Sequence, residues 1–174
     1  SAKATSGEVP TGWTTAQVWE VGEIQLGRQR SPEHHTGKHM RPYLRVANVH
    51  EDRIDTSDVL EMNFTPEEFK RYALRHGDIL LNEGQSLELV GRAAMYRDEV
   101  PGACFQNTLL RYRVGPSLDS RFTLLQFLWF LHSQRFKKIA SWTTSIAHLG
   151  STRFAAMELA LPPKAEQQRI VDEV

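Results

Sequence analysis

The sequence predicts an α+β fold: a twisted, partly barrel-like mixed β-sheet with packed helices, followed by the start of a coiled-coil arm helix. Three observations predict it. Between Tyr43 and Val114, short apolar or alternating runs bounded by Gly, Pro and Asp recur as in a strand meander, with one capped helix inserted. After Pro116 the apolar spacing becomes helical. At the end, the apolar run Glu158 to Leu161 meets Pro162-Pro163; the first proline holds its predecessor extended and the second suits a first helical turn.

Residues 1–11 are small and polar and read as a disordered lead-in. Gly12-Trp13 opens the domain, and Val18 to Leu26 reads as a short helix or strand around Val21 and Ile24. Gly27 to Pro42 is a basic loop without periodicity. Tyr43-Leu44-Arg45-Val46-Ala47-Asn48-Val49 alternates as a strand, and Arg53-Ile54-Asp55 continues as a short strand or turn. Thr65-Pro66-Glu67-Glu68 starts a helix with a threonine cap, proline at the first position and glutamate at the third. Phe69, Tyr72 and Leu74 are its buried side, and Gly77 its end.

Asp78 to Asn82 is a buried strand, and Val90 to Tyr96 and Thr108 to Val114 are further strands. Ser120 caps a helix through Ser133, and a second runs from about Gln134 to Ala140. Phe69, Tyr72, Phe122, Trp129 and Phe154 read as core at helical spacing. Trp142 to Gly150 is a polar loop, Ser151 to Ala156 a short helix, and Glu158 to Leu161 the last strand. Residues 12–161 make one domain. Residues 162–174 begin an arm, with Ile170 and Val174 on one face and Gln167 and Val171 beside them.

A chain of 174 residues with 40% apolar content suffices for one packed domain. The single cysteine, Cys104, excludes an internal disulfide and suits a reducing compartment. No apolar run approaches the ~20 residues of a membrane span, and no signal peptide is visible, so a cytoplasmic location is expected. The net charge is zero, but it is segregated. Arg28, Arg30, Lys38, Arg41 and Arg45 face only Glu33, with His34, His35 and His39 among them. Glu51 to Glu68 carries seven acids against Arg53, and Arg111 to Arg153 seven bases against Asp119. Such segregation permits a cationic face on a neutral protein; solvated surface charge is the alternative.

Three catalytic classes fail on spacing. Gly84 to Gly91 lacks the spacing and lysine of a phosphate-binding loop. Leu161-Pro162-Pro163-Lys164 lacks the polar head and aromatic with which amino-methyltransferases hold a flipped base. Asp52, Asp55 and Asp58 are spaced as solvated strand and turn residues without a companion nuclease motif. The three histidines lack a nearby cysteine for zinc, and Cys104 between Ala103 and Phe105 reads as a buried structural thiol. No catalytic residue, metal ligand or cofactor is assigned.

The loops instead carry an inventory for reading duplex edges: amides and hydroxyls at bases, with Arg and Lys on phosphate. Gln85-Ser86, Gln106-Asn107 and Thr143-Thr144-Ser145 with His148 are polar clusters beside apolar strands. Arg28, Arg30, Lys38, Arg41 and Arg45 suit phosphate, or guanine bidentately; Arg135, Lys137, Lys138 and Arg153 suit a second backbone contact. Ordinary turn chemistry is the competing account of each loop.

Several stretches match one family pattern in order: Pro10-Thr11-Gly12-Trp13; Tyr43-Leu44-Arg45-Val46-Ala47-Asn48-Val49; Gly77-Asp78-Ile79-Leu80-Leu81-Asn82-Glu83-Gly84 with Gly91-Arg92-Ala93-Ala94. Gln106-Asn107-x-Leu109-x-Arg111-x-Arg113 follows, then Thr144-Ser145-Ile146-Ala147-His148-Leu149 and the exit Pro162-Pro163-x-x-Glu166-Gln167-x-Arg169-Ile170-Val171. Residues 10–174 thus resemble a target recognition domain of the specificity (HsdS, S) subunit of type I restriction-modification enzymes. Gln85 to Val90 departs from the pattern by inserting residues between the two glycine halves of the central block. The resemblance adds Tyr43 and Asn82 to the candidate DNA-binding residues. It implies recognition of one half of a bipartite double-stranded DNA target without catalysis. It also implies methyltransferase (M) subunits, a translocase-nuclease (R) subunit and a second recognition domain as partners. The recognition domain of a single-chain restriction-methylation enzyme and a protein-interaction adaptor are the alternatives.

Overall fold

The computed structural model describes residues 9–174, so the lead-in lies outside the described residues as far as position 8; a turn from Pro10 to Trp13 follows it, closed by Trp13 N–H on the Pro10 carbonyl at 3.0 Å. Strands β1 (Thr14–Gln17), β2 (Gly22–Leu26), β3 (Met40–Leu44), β4 (Val49–His50), β5 (Arg53–Ile54) and β6 (Leu60–Asn63) precede helix α1 (Pro66–Tyr72). Strands β7 (Ile79–Asn82), β8 (Gly84–Gln85), β9 (Ala93–Met95), β10 (Cys104–Phe105) and β11 (Leu109–Val114) follow. Then come α2 (Ser120–His132), α3 (Arg135–Ile139), β12 (Ser141–Trp142), β13 (Ala147–His148), α4 (Ser151–Ala155), β14 (Glu158–Leu161) and α5 (Lys164–Asp172). Among the described residues no helix is long and apolar enough to cross a membrane.

The fold is mixed α+β, as expected, with its strands in several small sheets and no closed barrel among the described residues. The central sheet is antiparallel in the order β2-β11-β7-β9. A second has the order β10-β3-β6, β10 running parallel to β3. Strand β7 is apolar on both faces because both are covered. Ile79 and Leu81 pack with Phe127, Phe130, Phe136 and Phe154 of the helices, whereas Leu80 packs with Leu44, Phe105 and Leu109. Tyr112 sits among the phenylalanines, 5.4 Å from Phe127 and 6.0 Å from Phe154 by ring centroids. Its hydroxyl donates to the Val18 carbonyl at 2.9 Å, and burial pushes its ionisation up.

Three local readings are corrected. The expected strand from Tyr43 to Val49 ends at Leu44, and Val46–Asn48 form a 3-10 turn. The buried Asn48 causes it: its Oδ1 accepts Arg45 N–H at 3.0 Å, and its Nδ2 donates to the Asp55 and Asp58 carbonyls. Helix α1 has the expected Thr65 capping box but stops at Tyr72, short of Gly77. There Arg111 donates to the Arg71 and Ala73 carbonyls, taking up acceptors that a further turn would have used. Helix α2 is capped by Asp119, whose Oδ1 accepts Phe122 N–H at 2.9 Å, and Ser120 is its first residue.

Helix α5 is joined to the domain by Gln167, which is buried. Its Oε1 accepts Asp119 N–H at 2.8 Å, and its Nε2 donates to the Ser117 and Pro162 carbonyls at 2.9 Å each. Val171 is buried beside it, while Val174 is exposed. The side toward the domain is therefore Gln167 and Val171, with half-buried Ile170 also packed against the core.

Candidate nucleic-acid interface

The stretch expected to be a polar loop, Trp142 to Gly150, is a hairpin. Ser141 pairs with His148 and Trp142 with Ala147. Thr143 N–H donates to the Ile146 carbonyl at 2.9 Å, closing a tip of Thr143, Thr144, Ser145 and Ile146. Ala147 is buried in the main core and anchors the ribbon, whereas Trp142 is 66% exposed. Strand β13 also pairs with β8, matching Ala147 to Gln85 and His148 to Gly84. One ladder thus gathers Gln85, the exposed Ser86 next to it, the hydroxyl tip and His148, residues up to 63 positions apart.

Glu83 and Arg153 hold the base of this ribbon. Glu83 Oε2 accepts Gly150 N–H at 2.9 Å, and its Oε1 lies 3.4 Å from His148 Nδ1. The Arg153 guanidinium donates to the His148 carbonyl and to Ser141 Oγ, each at 3.1 Å, and stays exposed.

The turn Gln106-Asn107-Thr108 connects the ribbon to the first loop. Asn107 N–H donates to the Arg28 carbonyl, Val46 N–H to Thr108 Oγ1, and Glu83 N–H to the Thr108 carbonyl. Gly27 permits this closeness, since a Cβ there would overlap the Gln106 carbonyl. Gln106 and Asn107 are half-buried.

The basic residues divide into internal and external groups. Arg28 was expected on phosphate, but it is buried: its Nε sits 2.6 Å from Glu68, it donates to the Asn63 carbonyl, and it stacks over Phe64. Tyr43 is buried with Met62, Phe64 and Cys104, because its strand position faces the interior. Asn82 is wholly buried, with neither side-chain polar atom bonded to a described residue. None of these three reaches a duplex in this conformation. Arg45 is half-buried and bonded to Asp58 at 2.8 Å, so its charge is neutralised. Arg111 and Arg113 are structural too: Arg111 bonds Glu23, and Arg113 grips buried Asp78 bidentately at 2.8 Å. That pairing holds the Arg113 guanidinium more firmly protonated, while burial lowers the pKa of Arg111.

Arg30 and Lys38 are exposed and form no ion pair among the described residues; Arg41 stacks over Phe69 at 4.0 Å. On the helical side, Lys137 bonds Glu88 at 2.7 Å, Lys138 is exposed, and Arg135 stacks over Trp129 at 4.1 Å. Trp129, expected in the core, is half-exposed because its position on α2 lies outside the packed stripe. Cys104 is fully buried, as expected, and its thiol is pushed up to about 12 by burial.

Sequence reasoning missed Trp142 and Ile146, the large exposed apolar residues of the hairpin. Their signal was an aromatic and a branched residue flanking three hydroxyls, which reads as a ribbon tip once both flanks are taken as strand.

Comparison with known proteins bears on the whole chain. Residues 10–173 match the family model described as type I restriction modification DNA specificity domain. The chain is 24% identical over 170 residues to the type I restriction enzyme MjaX specificity subunit of Methanocaldococcus jannaschii, covering 97% of this chain and 40% of that protein. Among solved structures, the HsdS subunit from Thermoanaerobacter tengcongensis superposes with a TM-score of 0.62 at 18% identity, covering 98% of this chain and 38% of that one. The type I restriction-modification S subunit from M. genitalium does so with a TM-score of 0.62 at 14% identity, covering 99% and 40%. The structural likenesses show a shared fold, and the chain spans about two fifths of the length of these relatives. With a family model matched across nearly its full length, the chain belongs to the type I restriction modification DNA specificity domains.

Proposed function

We propose that this domain reads one half of a bipartite double-stranded DNA target and has no catalysis of its own. The reading surface is the β12–β13 ribbon with Gln85, Ser86 and His148, bordered by Gln106 and Asn107. Arg30, Lys38 and Arg41 grip phosphate on one flank; Arg153 and Lys138 do so on the other. The single observation that carries this is the β8–β13 pairing, which collects polar side chains from two distant loops, with the exposed Arg153 at its base. The hairpin is the outer part of the three-stranded sheet β12-β13-β8, and amide and hydroxyl side chains of the kind it carries distinguish base pairs in the major groove.

In this reading α5 is the root of an arm that carries methyltransferase subunits and a second recognition domain, with the translocase-nuclease subunit joining the assembly in the cytoplasm. The family match and the Gln167 clasp, which makes α5 continuous with the domain, support that role. The test is binding by the full specificity subunit assembled with its methyltransferase. Target duplexes, identified from methylated sites in the host genome, are compared with random duplexes. Replacing Thr143, Thr144 and Ser145 by alanine should erase preference for the target while leaving non-specific binding in place. Unchanged preference would refute the assignment.

A further inference from the structure

Within the ribbon, His148 is held differently from its neighbours. Its Nδ1 lies 3.4 Å from Glu83 Oε1, and the Glu83 side chain is 14% exposed against 51% for His148. Glu83 has little freedom to turn away. Its other oxygen accepts Gly150 N–H, its amide donates to the Thr108 carbonyl, and its carbonyl accepts Leu149 N–H at 2.9 Å. The charged groups facing His148 are Glu83 and Arg153, the latter bonded to its carbonyl; β12 contributes Ser141 opposite it. Nε2 bonds no described residue, and half of the side chain is open to solvent, while Gly84 lies against the opposite, Cε1–Nδ1 edge of the ring.

A carboxylate beside Nδ1 favours the proton there, so the neutral imidazole turns an unprotonated Nε2 outward as an acceptor. In the major groove the donors are the amino groups of adenine and cytosine. We propose that His148 reads an exocyclic amino group, adenine N6 or cytosine N4, through Nε2, and that Glu83 is its positioning residue. The proposal rests on the ribbon being the duplex-facing element.

The experiment measures binding by the assembled specificity–methyltransferase complex. In the target duplex each adenine is replaced in turn by purine and each cytosine by 2-pyrimidinone, analogues that lack the amino group. Wild type should lose roughly tenfold at one position. His148→Ala should bind the intact target about tenfold more weakly and be indifferent at that position, a comparison that cancels the analogue's effect on base pairing. In Glu83→Gln the amide oxygen stays on Gly150 N–H, so the NH2 turns to Nδ1 and moves the ring proton to Nε2; preference for the amino group should fall.

An analogue profile in His148→Ala identical to wild type overturns the assignment. If that profile is unchanged while Trp142→Ala and Arg153→Ala weaken binding, the ribbon still faces DNA and only the role of His148 fails. If all three bind as wild type, the reading surface itself is misplaced and both proposals fall.

Discussion

Gln167 and Asp119 meet across the start of two helices: the Gln167 side-chain oxygen accepts the Asp119 backbone N–H at 2.8 Å, while Asp119 caps α2 through Phe122 N–H. One buried amide therefore fixes α5 against the N-terminus of α2 and against the Pro162 carbonyl.

Gln167→Ala should lower stability by roughly 2–3 kcal/mol, because it strands a buried N–H and two carbonyls. For a domain of this size that is a fall in Tm of roughly 4–12 °C by calorimetry. Hydrogen exchange should quicken first in α5, whose docking depends on this residue.

Arg28 and Arg30, two positions apart, should separate cleanly. Arg28→Ala removes a buried partner of Glu68 and a stack on Phe64, so it should destabilise by roughly 2–4 kcal/mol in chemical denaturation. Arg30→Ala and Lys38→Ala should leave stability within about 0.5 kcal/mol while each reduces the salt slope of DNA binding by the assembled complex by about 1.

Trp142→Ala should leave the melting temperature unchanged, since the ring is exposed, but weaken binding of the assembled complex to its target about tenfold. Equal binding by mutant and wild type in fluorescence anisotropy would remove Trp142 from the interface.

Cys104 supplies a pH prediction. Its folded thiol ionises at about 12, against 9.0 without burial. Below about pH 9 both states keep the proton and stability is intact. As pH climbs from there toward 12, the unfolded chain releases the proton first, so unfolding is progressively favoured. Iodoacetamide should leave the native thiol unmodified at neutral pH and label it only on unfolding.

Phe127→Ala should cost roughly 3–5 kcal/mol, because Tyr112, Phe130, Phe136 and Phe154 all surround its fully buried ring.

The elements legible in the sequence were those with a local cause. The Thr65 capping box, the continuous apolar run of β7 and the strand from Glu158 to Leu161 each declare themselves over four to six residues. What stayed hidden depends on distant partners. The end of α1 is set by Arg111, 40 positions from the Arg71 carbonyl it takes, and nothing near Tyr72 signals it. The same holds for the site. Periodicity cannot tell that Arg28 meets Glu68 while Arg30 meets water, so a run of basic residues looked like one patch. The hairpin was invisible because Ser141-Trp142 and Ala147-His148 are each too short to show alternation; their third partner, β8, lies more than fifty residues upstream.

Strand β1 zips antiparallel onto β14, with Thr14 opposite Leu161 and Gln17 opposite Glu158. The polypeptide therefore enters and leaves through one doorway. A change in loops far from this seam would leave the two attachment points side by side.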